Sequence, residues 1–303
     1  MFTQHFTFIF ATMMRPRNHT RLPQPLRLAV LLCVLTAAFG IAQNTPQLQA
    51  PPIPAPEPPK IIPYPAMQTK AFAPGEQLTY KLKYSLMFAI TAGEATFAVD
   101  TALVQRDGKK LFHFFGVGKS ASTFEWFFKA LYRHDTYAEA ATLRPTGYTH
   151  MRREGKYKFD DAVTYDGNEN IIKGVKGKFE IKEPTYDILT AIYYARCLDV
   201  RKGEVNKFYA IPTFYEDGIY QLGVRMVGRE KVHVPAGTFN CIKIQPRVIA
   251  GDIFKDDSKM TIYVTDDDNY IPVRIESPIV VGSVRADLYS YNGVRNALTA
   301  RIK

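Results

Sequence analysis

His150, Arg152, Glu154 and Lys156 stand at alternate positions, so on an extended chain they share one face. That face joins an imidazole, a guanidinium, a carboxylate and an amine. It suits a groove that grips an anionic head group, because Arg presents a fork matched to carboxylate or phosphate. It equally suits a solvated strand face laced with cross-strand ion pairs. These four are the candidate ligand-contacting residues. Thr265-Asp-Asp-Asp-Asn269 sets three carboxylates in a row between the strand-like runs MTIYV and YIPVRIE. Oxygen-rich loops bind Ca²⁺, but this one lacks the alternating ligand spacing of a calcium loop. Asp and Asn close turns through their own side chains, so a hairpin turn is expected there.

Other chemistry-bearing residues are dispersed. His113, His134, His150 and His233 are isolated in sequence. His134 and Asp135 are adjacent, but neighbours on a strand point to opposite faces and do not couple. A glycosidase-like pair, Glu154 with one of Asp266–Asp268, needs carboxylates roughly 5–10 Å apart across a cleft, and no spacing puts them there. Cys197 and Cys241 either pair in an oxidising compartment or serve as small buried hydrophobes. Two thiols fall short of a four-ligand zinc site. GxSxG, HExxH, P-loop and GxGxxG contexts are missing. No catalytic, cofactor-binding or metal-binding residue is assigned, and the chain does not read as an enzyme.

The elements that must position these residues are strands. In Gln77–Tyr84, Leu78, Tyr80, Leu82 and Tyr84 alternate with polar residues, a period of two. Gly93–Asp100, Leu111–Val117, Tyr132–Glu139, Gly147–Phe159, Ala162–Tyr165 and Gly177–Ile181 continue the pattern. Lys207–Phe214, Ile219–Val227, Thr238–Val248, Lys259–Thr265, Ile271–Glu276 and Ser283–Tyr291 complete it. Asp107–Gly108, Asp166–Gly167, Asp217–Gly218 and Ala236–Gly237 mark turns. One amphipathic helix is expected at 187–198, where Ile188, Leu189, Ile192 and Tyr193 form a stripe behind Asp187. A shorter helical piece is expected at Ser122–Leu131. The fold class is all-β: a strongly curved antiparallel sheet, barrel-like or two-layered. Tyr80, Tyr84, Phe97, Phe112 and Phe114 are candidates for its apolar concave wall.

Ahead of this domain, Arg15, Arg17, Arg21 and Arg27 precede the apolar run Leu28–Ala42. A spanning helix needs about 20 apolar residues, so this run fits a signal-peptide core better. An uncleaved N-terminal anchor is the alternative, and the only route to membrane association that the sequence offers. Ten of the 20 prolines fall in residues 43–74, which reads as a stiff, extended spacer. The expected organisation is a signal at 1–42, a linker at 43–73, a β-rich domain at 74–293 and a tail at 294–303. Four of the 39 basic residues and none of the acidic ones precede residue 43, so the formal charge of +10 falls to +6 beyond it. Basic residues are spread rather than clustered, which argues against a nucleic-acid partner.

FAPGEQLTYKLKY (72–84), AGEATFAV (92–99), REGKY (153–157), YDILTAIYYAR (186–196), GREKVHVPAGTFNCIKIQP (228–246) and YVTDDDNYIPVRIES (263–277) together resemble the bacterial "domain of unknown function 3108" family. The resemblance spans about residues 70–291. It implies a β-rich exported protein in the periplasm or outer envelope of a Gram-negative bacterium, and brings no activity or site residue with it. Two functions fit the residues. One is a non-enzymatic envelope protein holding a lipid or other amphipathic ligand in a curved sheet. The other is a structural or assembly module that binds an envelope protein or cell-wall partner through a sheet edge.

Overall fold

A computed structural model describes residues 61–67, 71–85, 89–201, 205–250, 253–254, 260–278 and 282–302. The expected signal, with the linker as far as residue 60, lies outside the described residues. The first half of the fold is β1 (Gln77–Ser85), β2 (Ala89–Val99), β3 (Val104–Arg106), β4 (Lys109–Ser120), β5 (Ala130–Glu139), β6 (Pro145–Glu154), β7 (Tyr157–Asp166), β8 (Ile171–Gly174) and β9 (Gly177–Glu180). Helix α1 (Ile188–Cys197) follows. The second half is β10 (Phe208–Tyr215), β11 (Gly218–Val234), β12 (Gly237–Ala250), β13 (Ile253–Phe254), β14 (Thr261–Thr265), β15 (Pro272–Pro278), β16 (Ser283–Asn292) and β17 (Arg301–Ile302).

The 17 strands among the described residues belong to one sheet. From one edge the order runs β9, β8, β7, β6, β5, β4, β2, β1, β16, β15, β14, β12, β11, β10, each pair antiparallel. The expected all-β architecture is present, curved into a barrel-like form. Its two ends meet through side chains instead of a ladder. Phe214 of β10 packs on Phe179, with ring centroids 5.0 Å apart, and shares a buried cluster with Tyr148, Val163, Tyr165 and Ile172. Glu216, just past β10, pairs with Lys176 at 2.8 Å and with Arg152 at 3.6 Å. The free edge of β10 is covered by Tyr186, whose N–H donates to Pro212 O and whose carbonyl accepts from Phe214 N–H. That single bridge blocks strand addition at Pro212–Phe214.

Helix α1 packs on β10, β4 and β5, against the inner face of the sheet. Asp187 is its N-cap, accepting from Leu189 N–H while Thr190 returns a bond to the Asp187 N–H, a complete capping box. Arg196 in the last turn suits the negative end of the helix. Its apolar stripe buries Leu189, Ala191 and Tyr193 in the main core with Phe72, Phe114, Ile211 and Ile242. A second cluster forms where the β11–β12 hairpin folds back over β1, β15 and β16, burying Val232, Val234 and Phe239 against Leu78, Tyr80 and Leu288.

Three expectations change. The run Gly147–Phe159 is two strands, split by a tight turn in which Gly155 takes φ +56°, a conformation that glycine adopts without strain. Ser122–Phe127 forms overlapping turns, not an α-helix. Phe124, Phe127 and Phe128 have the spacing of one helical stripe, but only Phe124 is buried, so little burial is there to hold a helix. Residues assigned to the linker also pack. Ala71 and Phe72 are core residues, and the Tyr64 hydroxyl donates to Thr185 O at 2.8 Å. Within the expected tail, β17 pairs with β12, and Val294 and Leu298 cover the second cluster. Cys197 and Cys241 are buried in different clusters and form no disulfide with each other.

Candidate functional site

Inward positions on β2 and β4 are unusually small, and that leaves space beside the helix. Tyr80 on β1 faces Ala95, which faces Gly118; Leu78 faces Phe97, which faces Gly116. A Cβ at Gly116 would come within 3.2 Å of the Phe97 ring and 3.6 Å of Leu189. Glycine there lets ring and helix approach. The hollow is a cavity of about 140 Å³ lined by Tyr80, Ala95, Phe97, Gly116, Ile188 and Ile275, among others. A second cavity of about 160 Å³ lies along the helix, lined by Ile192, Val200, Ile211, Leu222, Ile244 and Ile262. Tyr80, Phe97, Ile188 and Ile275 wall both, so the two adjoin. Of the five aromatics expected on the concave wall, Tyr80 and Phe97 line the cavities. Phe112 and Phe114 are packed into the main core.

The first cavity has a polar end made by Tyr132, His134, His150 and Tyr215, bordered by Lys119 and Arg133, whose side chains lie on the outer face. Even-numbered residues of β5 and β6 point inward, so His134 and Asp135 face opposite ways. Asp135 is held outside by Arg133 and His113. The carboxylate that approaches His134 is Asp187, 3.4 Å from Nε2. Burial pushes the Asp187 carboxyl up, but His134, Thr190 and Thr136 outweigh it and hold it below the usual carboxylate range. Its oxygens accept from Thr136 Oγ1 at 2.9 Å, from Thr190 Oγ1 at 2.7 Å and from the helix start. A carboxylate so engaged orients the helix and His134.

The candidate face at His150–Lys156 turns inward and divides. His150 lines the first cavity. Arg152 is buried at the closing seam, where it pairs with Glu216 and donates to the Tyr157 hydroxyl at 2.8 Å. Glu154 accepts from the Tyr132 hydroxyl at 2.6 Å. Lys156 sits exposed in the β6–β7 turn. Thr265–Asn269 is the β14–β15 hairpin connection. Asp267 accepts from Thr265 Oγ1, Asn269 N–H and Ala300 N–H, while Asp266 pairs with Arg229 and Asp268 with Arg201. Each of these carboxylates, like Glu154, has a structural partner. Among the described residues no group of three or more His, Cys, Asp or Glu is placed to hold a metal ion.

His150 makes the site sensitive to acid. Burial, then the charges of His134 and Arg152, holds its imidazole down to about 4. Between pH 6.5 and 4 the unfolded chain binds a proton there that the folded chain does not, so stability falls as pH falls. The expected loss is roughly 2–3 kcal/mol by pH 4. Asp187 adds to it at lower pH, since a depressed carboxyl stabilises the fold only while ionised. Urea midpoints measured from pH 4 to 7 should slope upward, and His150→Phe should flatten that slope; an unchanged slope in the variant would exclude His150 as the source.

Residues 79–289 match the family described as "Protein of unknown function (DUF3108)". No curated protein matches the chain. Among solved structures, a beta-barrel-like protein of domain of unknown function DUF1849 from Brucella abortus is similar. It is 10% identical with a TM-score of 0.51, covering 74% of this chain and 99% of its own. That likeness agrees in fold alone. A candidate exported protein with YmcC-like fold from Bacteroides fragilis is 12% identical at a TM-score of 0.31, covering 75% of this chain and all of its own. A candidate lipoprotein from Parabacteroides distasonis is 12% identical at 0.29, covering 74% and 99%.

Proposed function

The chain belongs to the DUF3108 family, whose name carries no activity, and we propose from its own geometry that it is an exported envelope protein holding an amphipathic ligand in its curved sheet. The observation that carries this reading is the pair of adjoining cavities beside α1, apolar along their length and polar at one end. Ligand sites are concave and mostly apolar with a few placed polar groups. Each cavity is the size of one that accepts a benzene-sized guest. An acyl or similar chain fits walls of Phe97, Ile188, Ile192 and Ile244, with its head group toward His134, His150 and Tyr132. Export rests on the apolar run at 28–42 behind four arginines.

The test is native mass spectrometry of the full chain, expressed with its own leader in a bacterial periplasm, before and after denaturation. A co-purifying mass of several hundred daltons is expected. A clean apo mass, with no uptake of a fluorescent fatty acid, would overturn the ligand reading in favour of an assembly module working through protein partners.

A further inference from the structure

Strand register places several connections on one rim. Ala89 of β2 pairs with Ser85 at the end of β1, and Gly93 pairs with Ser120 at the end of β4. Ala130, opening β5, pairs with Glu154, closing β6, and Gly155 N–H donates to Lys129 O at 2.9 Å. The turns after β4 and β6 therefore touch, beside the first residues of β2. This rim carries Trp126 at 85% exposure, Phe127 at 53%, Tyr157 at 46%, Leu131 at 40% and Ile90 at 38%. They are half of the exposed large apolar residues found among the described ones. Exposed apolar surface gathered in one place marks an interaction site.

The loop is built to hold these rings out. Phe124 is buried beneath it, and Phe127 and Phe128 N–H both donate to Phe124 O at 3.0 Å. At the loop's end Ser120 Oγ accepts from Ala130 N–H at 2.8 Å. Phe124 thus fills the inside, and Trp126 cannot fold in without displacing it. Around the rings stand the exposed amines of Lys119, Lys129 and Lys156, with Glu125 paired to Lys129 at 3.3 Å. Lys119 and Tyr132, which flank the loop on β4 and β5, also line the first cavity.

Tryptophan and other large apolar side chains among lysines suit the water–hydrocarbon boundary of an anionic bilayer. We propose that this rim docks on an anionic lipid bilayer and seats the cavity mouth against it. The docking stands on the loop and its lysines; its use in moving a ligand rests on the cavity reading above. No helix among the described residues is long and apolar enough to cross a membrane.

Trp126 is the chain's single tryptophan, so its fluorescence reports on this loop alone. The purified protein is mixed with vesicles of phosphatidylethanolamine and phosphatidylglycerol, and with vesicles of phosphatidylcholine. On the anionic vesicles emission should move to shorter wavelength and the protein should co-float; on the neutral ones both effects should weaken. Trp126→Glu should bind roughly tenfold or more weakly, with an unchanged thermal midpoint. The pair Lys119→Glu with Lys156→Glu, which spares the rings, should weaken anionic binding by a similar factor. Uptake of a soluble fatty acid without vesicles should be unchanged in Trp126→Glu, which separates docking from the cavity reading. The proposal fails if no vesicle is bound, if Trp126→Glu floats like the parent, or if the emission shift arises without lipid as protein concentration rises, which would mark self-association.

Discussion

Replacing Glu76 with glutamine should lower the free energy of unfolding by about 3–5 kcal/mol, since it breaks a buried ion pair from one side. Glu76 and Arg196 have side chains 0% and 4% exposed, joined by two hydrogen bonds of 2.6 and 2.8 Å. Arg196 also donates to Asn269 O and Ala71 O, and its guanidinium lies over the Tyr193 ring at 5.2 Å. Burial alone would push the guanidinium down, but the charge of Glu76 outweighs it and holds Arg196 above its ordinary value. One fork thus ties the strand start at Glu76, the incoming segment at Ala71, the end of α1 and the β14–β15 turn. A glutamine leaves the cation without a counter-charge in a dry site. Such a loss should drop the thermal midpoint by roughly 10 °C for a domain of this size. The double variant Glu76→Leu with Arg196→Met should be more stable than either single one, because it removes both charges together. Denaturant titration of the four variants checks this; a single variant within 1 kcal/mol of the parent would show that water reaches the pair.

Much of this arrangement is visible along the chain, and the remainder has a common physical reason for being hidden. Period-two alternation marks the inner faces of β1 and β2 because burial on one side of a pleated strand demands it. Helix α1 is legible to within one residue, since Asp187 at the cap and the stripe behind it are local signals. The shared face of His150, Arg152 and Glu154 is also local, and it is there. Whether that face turns in or out is not local. Arg152 finds Glu216 and His134 finds Asp187 only after the sheet has curled. Glu76 and Arg196 are 120 residues apart and meet through the core. No spacing rule reaches such pairs. The cavity did leave a signal: Ala95 on β2 and Gly116 and Gly118 on β4, all at inward positions. Glycine inside a strand marks close approach of another group.

Ala95→Phe should abolish ligand uptake while leaving the fold intact. Ala95 points into the first cavity between Tyr80 and Gly118, its neighbours across β1 and β4. A ring there removes no existing side-chain contact and occupies empty volume, so the thermal midpoint should hold or rise. The opposite change, Ile188→Ala, enlarges both cavities, because Ile188 walls each of them. It should cost about 2–4 kcal/mol through lost burial and residual void. It should also admit a bulkier probe than the parent takes. Fluorescent fatty-acid titration and thermal melts on the two variants give a two-way test. Uptake that is lost in Ala95→Phe and broadened in Ile188→Ala places the ligand beside α1. Uptake indifferent to both would put any bound lipid elsewhere and leave the hollow as a packing defect of a sheet curled around one short helix. The small residues on β2 and β4 argue against a defect: a Cβ at Gly118 would meet nothing closer than Tyr132 at 3.7 Å, so a larger residue would fit there, yet Gly118 and the Ala95 that it faces are both small.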